Sequence, residues 1–207
     1  MNSKNKLISF GAGLLSVLCN PIGIPFVGFL GLFMFSYLNL LPLHYKIMIL
    51  SMIGCFTVVI PLTTIFLFMR INHWKAGDLE NRQKRFVPYA LIILSYIACL
   101  FTMSSLNMPR FLMGIILSSL LSITLCTIIN RFWKISAHMA GMGQLIGLFI
   151  ASSLIFYYNP VGWLSLFILL AGAEGTCSII IQHHTLGQVL TGAAIGLVCS
   201  IACLLFI

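Results

Sequence analysis

The sequence predicts an all-α polytopic transmembrane helical bundle, with about six to seven membrane-spanning helices in one domain over residues 1–207. Three observations predict it. The chain is 60% hydrophobic and only 7% charged, whereas soluble chains carry about 25% charged residues. Its mean hydropathy is +1.11, more apolar surface than a soluble fold of this length can hide. Apolar runs also recur at the length a bilayer demands, because a core about 30 Å thick needs roughly 20 helical residues at about 1.5 Å each.

Taken in order, residues 7–19 are too short to cross and run into Asn20-Pro21, so they read as interfacial or as a lead-in to the first helix. The basic head MNSKNK precedes them with no small-residue cleavage site following, which argues for retention over a cleaved signal peptide. Seven apolar spans then fall at about 22–42, 47–69, 88–106, 111–130, 139–158, 162–182 and 187–207. Pro61 interrupts the second and predicts a kink that neighbouring helices absorb. Residues 43–46, 107–110 and 159–161 are tight turns. The segments 70–87, 131–138 and 182–186 hold nearly everything polar, and two crossings separate each from the next. All three therefore open on one face, where residues distant in sequence can build a single site.

Lysine and arginine number 11 against three acids, a net charge of +8. The bases sit in short loops between apolar spans, which favours anionic headgroups or a phosphate-bearing ligand over nucleic acid. Seven cysteines lie in apolar stretches without CxxC spacing and read as buried thiols, not disulfides or metal ligands.

The polar segments carry the chemistry. In RINHWKAGDLENRQKRFVP, 70–88, Arg82 and Arg85 share one side of a helical turn, and guanidinium groups suit phosphate oxygens. The plain alternative is a positive-inside loop. In RFWKISAHMAG, 131–141, Lys134, Ser136 and His138 alternate just before a helix that begins near Met139. A helix amino terminus offers free N–H groups to an anion, and Ser136 can cap it or donate to phosphate. There the alternative is a basic-aromatic anchor with an ordinary cap, which has no use for His138. In QHHTLGQVLTG, 182–192, His184 and Gln188 stand four apart on one helix face. An imidazole held at one nitrogen keeps the other for attack or proton transfer. Two interfacial histidines satisfied by water are the alternative. Adjacent rings at His183 and His184 point roughly 100° apart on a helix and chelate poorly, so no metal and no cofactor is expected. Glu174 lies in the preceding span, about two turns away.

The order of these segments resembles the type-2 phosphatidic-acid phosphatase superfamily, integral-membrane lipid phosphatases with a helical-bundle core. Their motifs run Lys, six residues, Arg-Pro; Pro-Ser-Gly-His; and Ser-Arg, five residues, His, three residues, Asp. Here ISAH, 135–138, keeps Ser136 and His138, and CSIIIQHHTLGQ, 177–188, keeps His184. The surroundings AGAEGTC and HTLGQVLTGAAIG, with CNPIGIP at 19–25, resemble a divergent bacterial branch in which glutamine replaces the final aspartate. The resemblance implies a lipid phosphate or pyrophosphate as substrate, with His184 as nucleophile and His138 as general acid. Gln188 then fixes the tautomer of His184. Lys134, Ser136, Ala137, Arg82, Arg85 and Lys75 are the candidates to bind the phosphate, Arg82 and Arg85 by their chemistry and not by a motif match, and in the family no metal takes part. It also implies a bacterial inner membrane.

Three features depart from the pattern. Ser178 stands in place of the third-motif arginine and Gln188 in place of its acid. The first motif is irregular, since Arg82 follows Lys75 at the family interval but precedes Gln83, and Arg85 lies three before Pro88. That segment also lies two crossings ahead of the second motif, whereas the family places both in one connection. Ser178 and Gln188 support a second reading, a catalytically degenerate member that binds lipid phosphates or a structural membrane subunit. A transporter or channel rests on hydrophobicity alone. Nine of the eleven bases lie on the face of the three polar segments, with Lys46 and Arg110 opposite. Positive-inside counting puts that face in the cytoplasm, bacterial relatives of the resembled family work outside, and the sequence leaves the choice open, as it does the oligomeric state.

Overall fold

The computed structural model of the chain describes residues 22–74 and 85–206. The stretch before Ile22, read from sequence as interfacial, lies outside the described residues, as do Lys75 and Arg82. Seven helices follow in order: α1 (Ile24–Phe35), α2 (Leu43–Ile71), α3 (Phe86–Ser105), α4 (Arg110–Asn130), α5 (Ala137–Phe156), α6 (Val161–Ile180) and α7 (Leu186–Phe206). The described residues contain no strand. The six helices from α2 onward are long and apolar enough to cross a membrane. The chain is an integral membrane protein, and the expected fold class holds.

The first expected span is corrected. α1 has 12 residues, about 18 Å at 1.5 Å each and short of a core about 30 Å thick. Ser36 ends it. The Ser36 hydroxyl donates to the Leu32 carbonyl at 2.7 Å and accepts from the Leu38 N–H at 3.2 Å. That second bond caps a 3-10 turn, Tyr37–Leu40, which leads to Pro42. Apolar composition continues through 22–42, but a serine bonding to its own backbone offers the chain an alternative to helix. α1 runs parallel to α5, and with the 3-10 turn the segment 22–41 reaches from one end of the bundle to the other. A β-carbon on Gly28 would meet Leu145 and Leu148, and one on Gly31 would meet Phe149. Ile22 shares a cavity wall with Ala137, and Leu38 and Leu41 share one with Pro109 and Phe156.

Just before Pro61 the helix changes its hydrogen-bond pattern. Residues Cys55–Val59 form a π-turn in α2, and the Ile60 N–H reaches the Cys55 carbonyl. The Phe56 carbonyl is thereby released from its usual helical partner, and the Ser95 hydroxyl of α3 donates to it. A freed backbone group in a membrane is answered by a neighbouring helix.

The closest helix pair is α5 with α7. A β-carbon on Gly143 would strike the Ala193 carbonyl, and one on Gly147 would meet the backbone of Leu197. From the other side, Gly192 abuts the Ser136 carbonyl and Gly196 the Ala140 carbonyl. The order of these pairs makes the two helices parallel, as two crossings apart requires. Small residues let backbones approach where lipid supplies no hydrophobic drive between helices. Gly192 and Gly196, four residues apart, form a smooth strip that is used inside the bundle, and it brings the amino termini of α5 and α7 to one end. Buried Phe29, Ile53, Met103, Ile116 and Phe149 fill the centre. Phe66, Leu67, Phe101, Leu169 and Val198 face outward.

Candidate active site

The site is built from the end of α6, the starts of α5 and α7, and the residue ahead of α3. α6 ends in a reversed turn. The Ser178 carbonyl accepts from the His183 N–H at 3.1 Å and the His184 N–H at 3.3 Å. The Gln182 N–H reaches Ile179 at 3.0 Å, and Gln182 sits in the left-handed region at φ 59°. This pattern of two reversed bonds closes many helices, with glycine the usual left-handed residue. Here it swings residues 183–185 off the α6 axis toward α7. Ser178, where the resembled motif has arginine, gives its carbonyl to this turn.

Gln188 then fixes His184. Its Oε1 accepts the Thr185 N–H at 3.1 Å and lies 3.2 Å from His184 Nδ1. A backbone N–H can only donate, so the atom facing both groups is the carbonyl oxygen of the amide. His184 Nδ1 therefore carries the hydrogen, and the lone pair is on Nε2. The Thr185–Gln188 bond is also half of a capping box at the start of α7, so one side chain serves the helix and the histidine together.

His184 is half-buried, and its pKa is lowered from 6.5 to about 4. Burial is the main cause. The Gln188 hydrogen bond opposes it, and the positive charges of Arg85, Lys134 and His138 add to it. The chain thus holds a neutral imidazole among three groups that repel a proton and attract an anion.

The second histidine comes from α5. Ser136 is fully buried, and its hydroxyl accepts the Met139 N–H at 3.4 Å. It is the cap, so the helix begins at Ala137, two residues earlier than expected, and His138 lies in its first turn. The Ala137 N–H belongs to that open first turn. Lys134 is half-buried ahead of it. Trp133 packs where a β-carbon on Gly187 would lie, 3.4 Å away, which ties the 131–136 connection to the start of α7.

Arg85 immediately precedes α3 and shares a side-chain hydrogen bond with Tyr89, one turn on. Tyr89 is 8% exposed. It holds the guanidinium toward the bundle, where it acts on His184. Sequence reasoning missed Tyr89, which reads there as one more aromatic in an apolar run; its i, i+4 spacing from Arg85 was the available signal.

The structure brings together Arg85, Lys134, His138, His184 and Gln188, with Ser136 and Ala137 shaping the α5 terminus. His183 is exposed beside them. Lys75 and Arg82 lie outside the described residues. Among the described residues no three His, Cys, Asp or Glu side chains converge as metal ligands would. No family model, curated protein or solved structure matches this chain.

Proposed function

We propose that the chain is a membrane phosphatase that hydrolyses a lipid phosphate or pyrophosphate monoester through a phosphohistidine at His184. One observation carries the reading: a neutral imidazole, its tautomer fixed with Nε2 unprotonated, lies within the electrostatic reach of Arg85, Lys134 and His138. In this reading the phosphate oxygens are drawn to those cations, aided by the N–H groups of the first turn of α5. His184 Nε2 donates its pair to phosphorus and the bond to the lipid oxygen breaks. His138, protonated, gives its proton to that leaving oxygen. A water then attacks the phosphohistidine, His138 takes up a proton, and phosphate leaves as His184 regains its pair. Phosphoryl transfer asks chiefly for in-line positioning and neutralised equatorial oxygens, which such a cluster supplies.

A bilayer around six spans makes a lipid the fitting substrate, its tail among helices and its headgroup at the polar connections. Polyprenyl pyrophosphate, phosphatidylglycerol phosphate, phosphatidate and lipid A phosphate all meet that description. The membrane proposed is the bacterial inner membrane. The test is phosphate release by the purified protein from this panel, wild type against His184→Ala. Release that vanishes in the variant supports the reading.

A second reading is favoured by Gln188. It brings no negative charge to a developing imidazolium, and its Oε1 is shared with the Thr185 N–H. A degenerate protein that binds lipid phosphate would show saturable binding, lost in Arg85→Gln, and no release from any lipid by folded protein.

A further inference from the structure

Three serines of α4, Ser118, Ser119 and Ser122, are at most 4% exposed although they lie in a membrane-spanning helix. Ser118 and Ser119 donate to the Ile115 carbonyl at 2.8 and 2.9 Å. Their oxygens accept from Gln144 Nε2 of α5, Ser118 at 3.2 Å. Ser122 lies one turn before Cys126 on the same helix. Beside this cluster lies a cavity of about 20 Å³, walled by Tyr96, Ser119, Ser122, Cys126, Ala137 and Gln144 among others. A space of roughly 10–15 Å³ is enough for one water.

The hydrogen-bond accounting at this cavity is incomplete within the protein. Gln144 spends its Nε2 hydrogens on two serines, and its Oε1 receives no donor among the described residues. The Tyr96 side chain is 2% exposed, and its hydroxyl meets no partner among the described residues. One needs a donor and the other can donate, and both residues wall the same space. Inside a membrane-spanning bundle an unsatisfied polar group costs several kcal/mol.

We infer that one water molecule is bound in this cavity, accepting from the Tyr96 hydroxyl and donating to the Gln144 carbonyl and the Ser122 oxygen. It joins α3, α4 and α5 by hydrogen bonds. Ala137, Ala140 and Gly141 wall the cavity on the α5 side, so the bridge braces the turn that carries His138. It is a structural ligand site distinct from the phosphate cluster, and it stands whether or not the chain turns over a lipid.

The test is the structure of the full chain in a lipidic phase at a resolution that shows ordered solvent. The expected result is one peak within about 3 Å of both the Tyr96 hydroxyl and the Gln144 amide. A cavity without density, or a Tyr96 hydroxyl turned onto a carbonyl, overturns the inference. A second measurement compares melting temperatures in detergent of Tyr96→Phe, Gln144→Leu and the double variant. A shared water makes the losses non-additive, with the double variant little worse than either single one. Additive losses speak against it.

Discussion

At the scale of single residues, the proposed chemistry rests on the charge state of His184. Its pKa of about 4, against an ordinary 6.5, keeps the ring unprotonated over the physiological range. If His184 is the nucleophile, the acidic limb of kcat/KM falls near pH 4, where an unperturbed histidine would place it near pH 6.5. Arg85→Gln and Tyr89→Phe both raise that limb, the first by deleting a charge and the second by releasing the guanidinium; ring NMR of His184 follows the same shift without needing turnover. The sign for stability follows from proton counting. Between about pH 6.5 and 4 the unfolded chain binds a proton that the folded chain refuses, so stability falls as pH drops through that window. Melting in detergent from pH 7 to 4 measures it, and His184→Gln flattens the curve. Gln188→Ala frees the wrong tautomer and lowers kcat by about 10²-fold, with a loss of about 1 kcal/mol from the helix cap. Gln188→Glu keeps the cap, adds the missing negative charge, and raises both turnover and the pH limb.

At the scale of helices, the amino termini of α5 and α7 are held level by glycines, and that contact places both histidines. Gly196→Ala drives a methyl into the Ala140 carbonyl. It lowers stability by about 1–3 kcal/mol and activity by about tenfold or more as the two termini separate. Gly172, which has open space at its β-carbon, is the control: Gly172→Ala leaves both unchanged or slightly improves stability. Half of this contact was legible in the sequence. The spacing of Gly192 and Gly196 shows a smooth strip on one helix, but a strip does not name its partner, and Gly143 and Gly147 acquire meaning only when two parallel helices meet. The limits of α1 were hidden for a related reason. Hydropathy sees that 22–42 is apolar and is blind to a serine that folds back on Leu32 and stops the helix within it.

At the scale of the whole molecule, hydropathy and loop spacing were sufficient for the six crossings and for the convergence of the polar connections on one end, because a bilayer leaves the backbone few choices. They were not sufficient for the depth at which each residue sits. That is why the half-burial of His184, the Arg85–Tyr89 bond and the serine–glutamine cluster of α4 and α5 emerge only from the packed bundle. The topology has its own test. Single cysteines at Phe132 and His183, exposed at the histidine end, label from one side of sealed vesicles. A cysteine at Leu40, 84% exposed at the other end, labels from the opposite side; labelling of all three from one side would refute the bundle as described. The reaction is decided by rapid acid or alkali quenching of purified protein mixed with phosphate-labelled lipid. The expected product is a labelled chain, stable to alkali and labile to acid, with the phosphate on His184 and no label in His184→Ala. A folded chain that takes no label from any lipid phosphate, or one whose label survives in His184→Ala, contradicts a phosphohistidine at this position.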